Sequence, residues 1–161
     1  MAVPLTVNNT TFNYPTNGES PGWGQDTTDW AVAVTDVLAS LVSSDDILQT
    51  SYSINNNVST PTDVNRLFFN PSTVRAANIQ YSVYRISTAN PSGHVESGII
   101  YLNYDNAASL GSKWSFTQQK NGDSGVVFSI TDAGQIQYIS TDIDSTGYSG
   151  VIKFTAKTLP I

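Results

Sequence analysis

From about Leu48 onward, apolar side chains recur at every second position in short runs, and each run is broken by Gly, Asn, Asp or Ser. A period of two is the period of a β-strand, whose successive side chains point to opposite faces. The clearest run covers 79–86, where Ile79, Tyr81 and Val83 alternate with Gln80 and Ser82. Similar runs at 98–104, 113–118, 126–131, 135–140 and 150–156 predict further strands. The breaks between them have turn chemistry. Asn121-Gly122 is a type I′ hairpin signal, because both central residues of that turn need positive φ, and Asp132-Ala133-Gly134 and Ser145-Thr146-Gly147 read as longer turns. Short, evenly spaced strands without intervening helices predict a mainly β fold, an antiparallel β-sandwich or barrel of jelly-roll-like type.

Composition agrees with strands and removes several kinds of chemistry. Ser, Thr and Asn make up 52 of the 161 residues, a balance that suits sheet surfaces better than helices. There is no cysteine, which excludes disulfides, thiolate metal sites and cysteine nucleophiles. The single histidine, His94, cannot build a His-based zinc cage, and a serine triad would have to be assembled around this one imidazole. No cofactor and no metal are expected. Residues 1–65 hold seven acidic and no basic side chains, whereas residues 66–161 hold seven basic and six acidic ones. That asymmetry divides the chain into 1–47, an N-terminal arm and helix for attachment and oligomerisation, and 48–161, an antiparallel β-domain. The absence of a basic stripe argues against a nucleic-acid partner. With no basic start and no run of 18 apolar residues, no membrane partner is expected either, and the chain is expected to stay in solution after synthesis.

Residues 1–25 read as an extended arm, with Leu5, Val7, Phe12, Tyr14 and Trp23 as apolar anchors among Thr, Asn, Pro and Gly. One short α-helix follows. Asp26 and Thr27 are good cap residues, and Trp30, Val34, Val37 and Leu41 recur at spacings of four, three and four, which forms a single apolar stripe. The stripe is too short for a confident coiled coil and fits packing on a sheet or on symmetry mates.

Carboxylates supply the enzymatic candidates. Asp142-Ile143-Asp144 in a strand would place two acids on one face, but Asp144-Ser145-Thr146-Gly147 is also a plain turn, and calcium there would lack a full oxygen set. Asp45-Asp46 fits a solvated loop. Glu19 and Glu96, the two glutamates, have no spacing that pairs them as a glycosidase would require. Gly122-Asp123-Ser124-Gly125 lacks the strand-elbow-helix context that exposes a serine nucleophile. The chain is therefore expected not to be an enzyme, and binding is the better class. Tyr101, Tyr104 and Trp114 are candidates for stacking on sugar rings, or else for core and inter-subunit contacts.

Two stretches carry a resemblance. Phe12-Asn13-Tyr14-Pro15, Pro21-Gly22-Trp23-Gly24 and 28–35 resemble an N-terminal signature of tailed-bacteriophage virion proteins, among them capsid decoration proteins and head or tail fibres. Tyr81-Ser82-Val83-Tyr84-Arg85, Glu96-Ser97-Gly98, 122–126, 134–138 and Gly147-Tyr148-Ser149-Gly150 look like a β-domain found in such proteins. The resemblance implies a non-enzymatic virion part, made in the host cytoplasm, which attaches through its N-terminal region and is commonly trimeric. With no repetitive shaft, the chain is expected to be a capsid decoration or cement protein. It would sit on the outer surface of the head, with the major capsid protein and its own copies as partners. Phe12, Tyr14, Trp23, Trp30, Val34, Val37 and Leu41 are the expected capsid and inter-subunit contacts. The alternative is a tail or head fibre or receptor-binding part, with host glycan as its partner.

Overall fold

The computed structural model describes residues 3–7, 10–14, 23–40 and 45–161, and the statements below concern these. They fall into two compact units, Met1–Ser44 and Asp45–Ile161.

In the first unit, β1 (Val3–Val7) and β2 (Thr10–Tyr14) pair antiparallel with Leu5 opposite Phe12. The expected extended arm is therefore a hairpin over these residues. Alternating Val3, Leu5 and Val7 favour a strand, and pairing satisfies main-chain groups that a single arm would leave to water. Helix α1 (Trp23–Ser40) packs against both strands. It starts before the expected cap, so Asp26 and Asp29 lie inside its first two turns, where a carboxylate still favours the helix dipole. No basic residue occupies its last turn. Leu41 lies outside the described residues.

The second unit holds two antiparallel sheets. One has five strands in the order β3 (Ile47–Ser53), β10 (Ser149–Pro160), β5 (Val74–Ile86), β6 (His94–Tyr104) and β7 (Trp114–Gly122). The other is β4 (Val58–Phe68), β9 (Gln135–Ser140) and β8 (Val126–Ile130). Each keeps two free edges, so the strands form layers and do not close into a barrel. The layers share one core. Tyr81 and Phe128 meet edge-on across it at 5.3 Å between ring centroids, and Tyr52 meets Tyr138 at 6.2 Å. The inward residues of β5 alternate from Ala77 to Arg85, as its period of two dictates, while Val74, three residues before Ala77, is also buried where the β5–β10 register shifts.

Two of the expected turns are present. Thr131 and Gln135 close the β8–β9 hairpin around Asp132-Ala133-Gly134, and the Tyr148 N–H donates to the Ser145 carbonyl. At Gly134, where φ is +91°, a Cβ would lie 1.8 Å from the Phe69 carbonyl oxygen, so only glycine fits. Asn121-Gly122 is not a two-residue hairpin. Gly122 has the expected positive φ, but β7 and β8 belong to different sheets, and residues 123–125 carry the chain from one layer to the other.

Strand β4 departs from alternation, since Val64 and Leu67, three residues apart, are both buried. The shift falls around Arg66, a non-glycine at φ +69°, within a gap in the β4–β9 register where the five steps from Asp63 to Phe68 oppose only the two from Gln137 to Gln135. The Gln135 side-chain amide fills that gap: its Nε2 donates to the carbonyls of Val64 (3.0 Å), Leu67 (3.3 Å) and Ile136 (2.8 Å). Gln135→Leu should leave buried carbonyls without donors and lower unfolding stability in urea by about 1–3 kcal/mol. Gln137→Ala, which removes only an exposed bond to Asp63, should cost no more than about 0.5 kcal/mol in the same titration.

Candidate functional site: an attachment unit and a buried polar hub

The first unit carries the expected contact residues. Phe12 and Tyr14 lie on β2, and Trp23 opens α1. On the helix, Thr27, Trp30, Ala33, Val34 and Val37 are half-buried and fall on one arc of its surface, while the intervening described positions are exposed. The apolar stripe read from spacing thus exists. Its side chains are half-buried and none is fully buried, while Val32 and Leu38, outside the stripe, are 53% and 60% exposed.

The second unit contains a polar hub at the end of the sandwich where the chain changes sheet. Arg85 occupies the inward parity of β5 after Ile79, Tyr81 and Val83, and its side chain is fully buried. Its guanidinium donates to the Ser124 carbonyl (2.6 Å), to the Thr141 carbonyl, to Asn56 Oδ1 (2.9 Å) and to the Tyr148 hydroxyl (3.2 Å). The Tyr148 ring lies 5.7 Å from the guanidinium carbon. One cation thereby ties together the segments 54–57, 123–125 and 141–148.

Ser124 passes the connection to Glu96, which is also fully buried. The Ser124 N–H and hydroxyl both donate to Glu96 Oε2 at 3.1 Å, and Lys120 Nζ reaches the same oxygen at 3.0 Å. The other carboxylate oxygen accepts from the Tyr81 hydroxyl at 2.7 Å and from Gln118 Nε2 at 3.3 Å. A buried carboxylate is tolerable only with such saturation by donors. Burial, and then the bond to Glu96, push the Tyr81 phenol well above its ordinary range, while the donor from Gln118 works in the opposite direction.

The remaining candidates serve local structure. Asp142 and Asp144 lie in the loop after β9, not in a strand, and cap backbone amides: Asp142 Oδ1 accepts from the Asp144 N–H (3.0 Å) and Asp144 Oδ1 from the Thr146 N–H (2.9 Å). Asp46 is no solvated loop acid. Its carboxylate accepts from the Thr158 N–H (2.7 Å) and from Lys157 (2.8 Å), pinning β10 to the start of β3. Asp132 accepts from the amides of Gly111 and Lys113, and these bonds hold its carboxyl below its usual range. His94 bonds to Asn90 at 2.7 Å. Trp114 is only 6% exposed and belongs to the core, with Tyr104 half-buried against it at 5.0 Å, so of the three proposed stacking aromatics Tyr101 alone stands on the outer sheet face. Glu19 lies outside the described residues. Among the described residues, no three His, Asp or Glu side chains are grouped to hold a metal, and no helix is long and apolar enough to cross a membrane.

Comparison with known proteins adds little. No family model matches the chain, and no curated protein matches it. Among solved structures, the tailspike protein of Acinetobacter phage vB_ApiP_P1 is similar over 69% of this chain, at 12% identity and a TM-score of 0.46. The match spans 22% of the tailspike chain.

The hub makes two predictions. Glu96→Gln would aim an amide N–H at existing donors and should destabilise the fold by about 3–5 kcal/mol, read from chemical denaturation. Because folding raises the Tyr81 pKa above its unfolded value of 10.0, the associated stability is complete below that pH and falls as pH rises beyond it. Absorbance at 295 nm should show this phenol ionising only together with unfolding, and Tyr81→Phe should flatten the alkaline limb of the stability curve.

Proposed function

We propose that this chain is a structural, binding component of a tailed-bacteriophage particle, attaching through its N-terminal unit and presenting its β-unit. The observation that carries this is the first unit: an 18-residue helix on a hairpin, with Thr27, Trp30, Ala33, Val34 and Val37 half-buried along one arc. Such a unit gains stability from a surface that covers its half-buried stripe. The sequence resemblance supports the same class, because the stripe and the motifs Phe12-Asn13-Tyr14-Pro15 and Pro21-Gly22-Trp23-Gly24 share this unit.

Two locations follow from that role. One is capsid decoration, as a homotrimer on the major capsid protein, where many copies acting together stabilise the shell without any one contact being tight. The other is a tail or head fibre or receptor-binding position, toward which the tailspike likeness leans, at a similarity too low to decide between them.

An electron-microscopy reconstruction of the native particle tests the class and the location together. Density on the outer shell assigns decoration, density on the tail assigns the second location, and absence from the particle overturns the proposal. Within either location, Trp30→Ala should weaken binding to particles lacking the protein by about 2 kcal/mol, roughly thirtyfold, measured by co-sedimentation. The β-sheet circular-dichroism signal should be unchanged.

A further inference from the structure

The outward face of the five-stranded sheet is unusual for an acidic chain. The net charge is −6, yet no outward position on these strands carries a carboxylate. Ser, Thr, Asn and Gln alternate there with Tyr84, Val95, Ile99, Tyr101, Val151 and Leu159, and a shallow groove of about 240 Å³ lies over β3, β10 and β5. The register explains the groove. Thr155 pairs with Gln80 and Lys153 with Ser82, so short Thr155 and Ser82 form its floor while the longer Gln49, Gln80 and Lys153 stand around it.

The long side chains are available. Gln49, Gln80 and Lys153 are exposed and have no hydrogen-bond or ion-pair partner among the described residues. The neighbouring Lys157, by contrast, is bound to Asp46. In the adjoining row Asn78 pairs with Tyr101, which sets an amide beside a phenol ring on the same face.

We infer that this groove binds an acidic glycan, with the Lys153 ammonium on a sugar carboxylate and the amides of Gln49 and Gln80 on its hydroxyls. Side-chain amides both donate and accept, as vicinal hydroxyls require. A lone ammonium in a carboxylate-free field selects an isolated anionic group. The outward side chains that line the groove itself, Gln49, Gln80, Ser82, Lys153 and Thr155, include none of the aromatic, Met or Arg residues that enrich a protein interface, and one free lysine is far from the cationic stripe that nucleic acid demands. The inference deepens the receptor-binding alternative, but the binding itself is measured without any particle, so its failure would leave virion membership standing.

Affinity electrophoresis of the full chain decides it, in native gels containing polygalacturonate, dextran or no polymer. Polygalacturonate should retard the protein and dextran should not. Lys153→Gln should weaken the retardation by about tenfold. Lys113→Gln removes the same charge from a lysine off the face, whose ammonium donates to the Asn106 carbonyl, and should leave the retardation unchanged. Equal weakening by both variants, equal retardation by dextran, no retardation by either polymer, or displacement of polygalacturonate by a single-stranded oligonucleotide would each overturn the inference. Thermal melts of both variants confirm that the fold is intact.

Discussion

The fold depends on a buried guanidinium. Arg85 stands where an apolar side chain would continue the core face of β5, and its donors are taken up by carbonyl, amide and hydroxyl oxygens from three loops. A lysine could not replace it, because a single ammonium lacks the planar fork that reaches acceptors on several sides. Opposite it, Glu96 brings a buried negative charge. The two ions do not touch, and Ser124 joins them: its carbonyl, in the peptide to Gly125, faces Arg85, and its N–H, in the peptide from Asp123, faces Glu96. Each ion thereby polarises one of the two successive peptide groups that flank the Ser124 Cα. The crossing between the sheets is thereby locked at the place where a sandwich has no ladder of its own.

How much of this was legible follows from what alternation can carry. Strand β9 matches its run at 135–140, and β5, β6, β7, β8 and β10 overlap theirs, because apolar residues recur at most of their inward positions. Strands β3 and β4 were hidden. Eight of their eighteen residues are Ser, Thr, Asn or Asp, and the irregularity at Arg66 shifts the parity along β4. The hairpin signal at Asn121-Gly122 was chemically sound about φ and wrong about topology, since a dipeptide reports its own dihedrals and not which sheet receives the next strand. The hub could have been found: Arg85 continues the inward parity of Ile79, Tyr81 and Val83, and a cation at such a position must have partners. Their identities are long-range and appear only when the loops converge.

The two units divide the chain's physical properties. The first holds acidic charge and a half-buried apolar stripe in a short segment, while the second builds a continuous core, leaves Leu48, Val95 and Leu159 among its exposed side chains, and turns outward a sheet face that carries lysines but no carboxylate. A segment that is incomplete alone suits a role in which another surface completes it. A saturated, self-sufficient sandwich suits one in which it is displayed to solvent.

Strand order has a temporal meaning as well. In the large sheet β10, the last strand of the unit, lies between β3, the first, and β5, and is the ladder neighbour of both. During synthesis β3 therefore emerges about a hundred residues, and β5 about seventy, ahead of the strand that joins them. Closing that distance makes folding slow, and the nascent chain meanwhile carries unpaired strand edges. A sequence rich in Ser, Thr and Asn, with few contiguous apolar residues, keeps such a waiting chain from sticking to its neighbours.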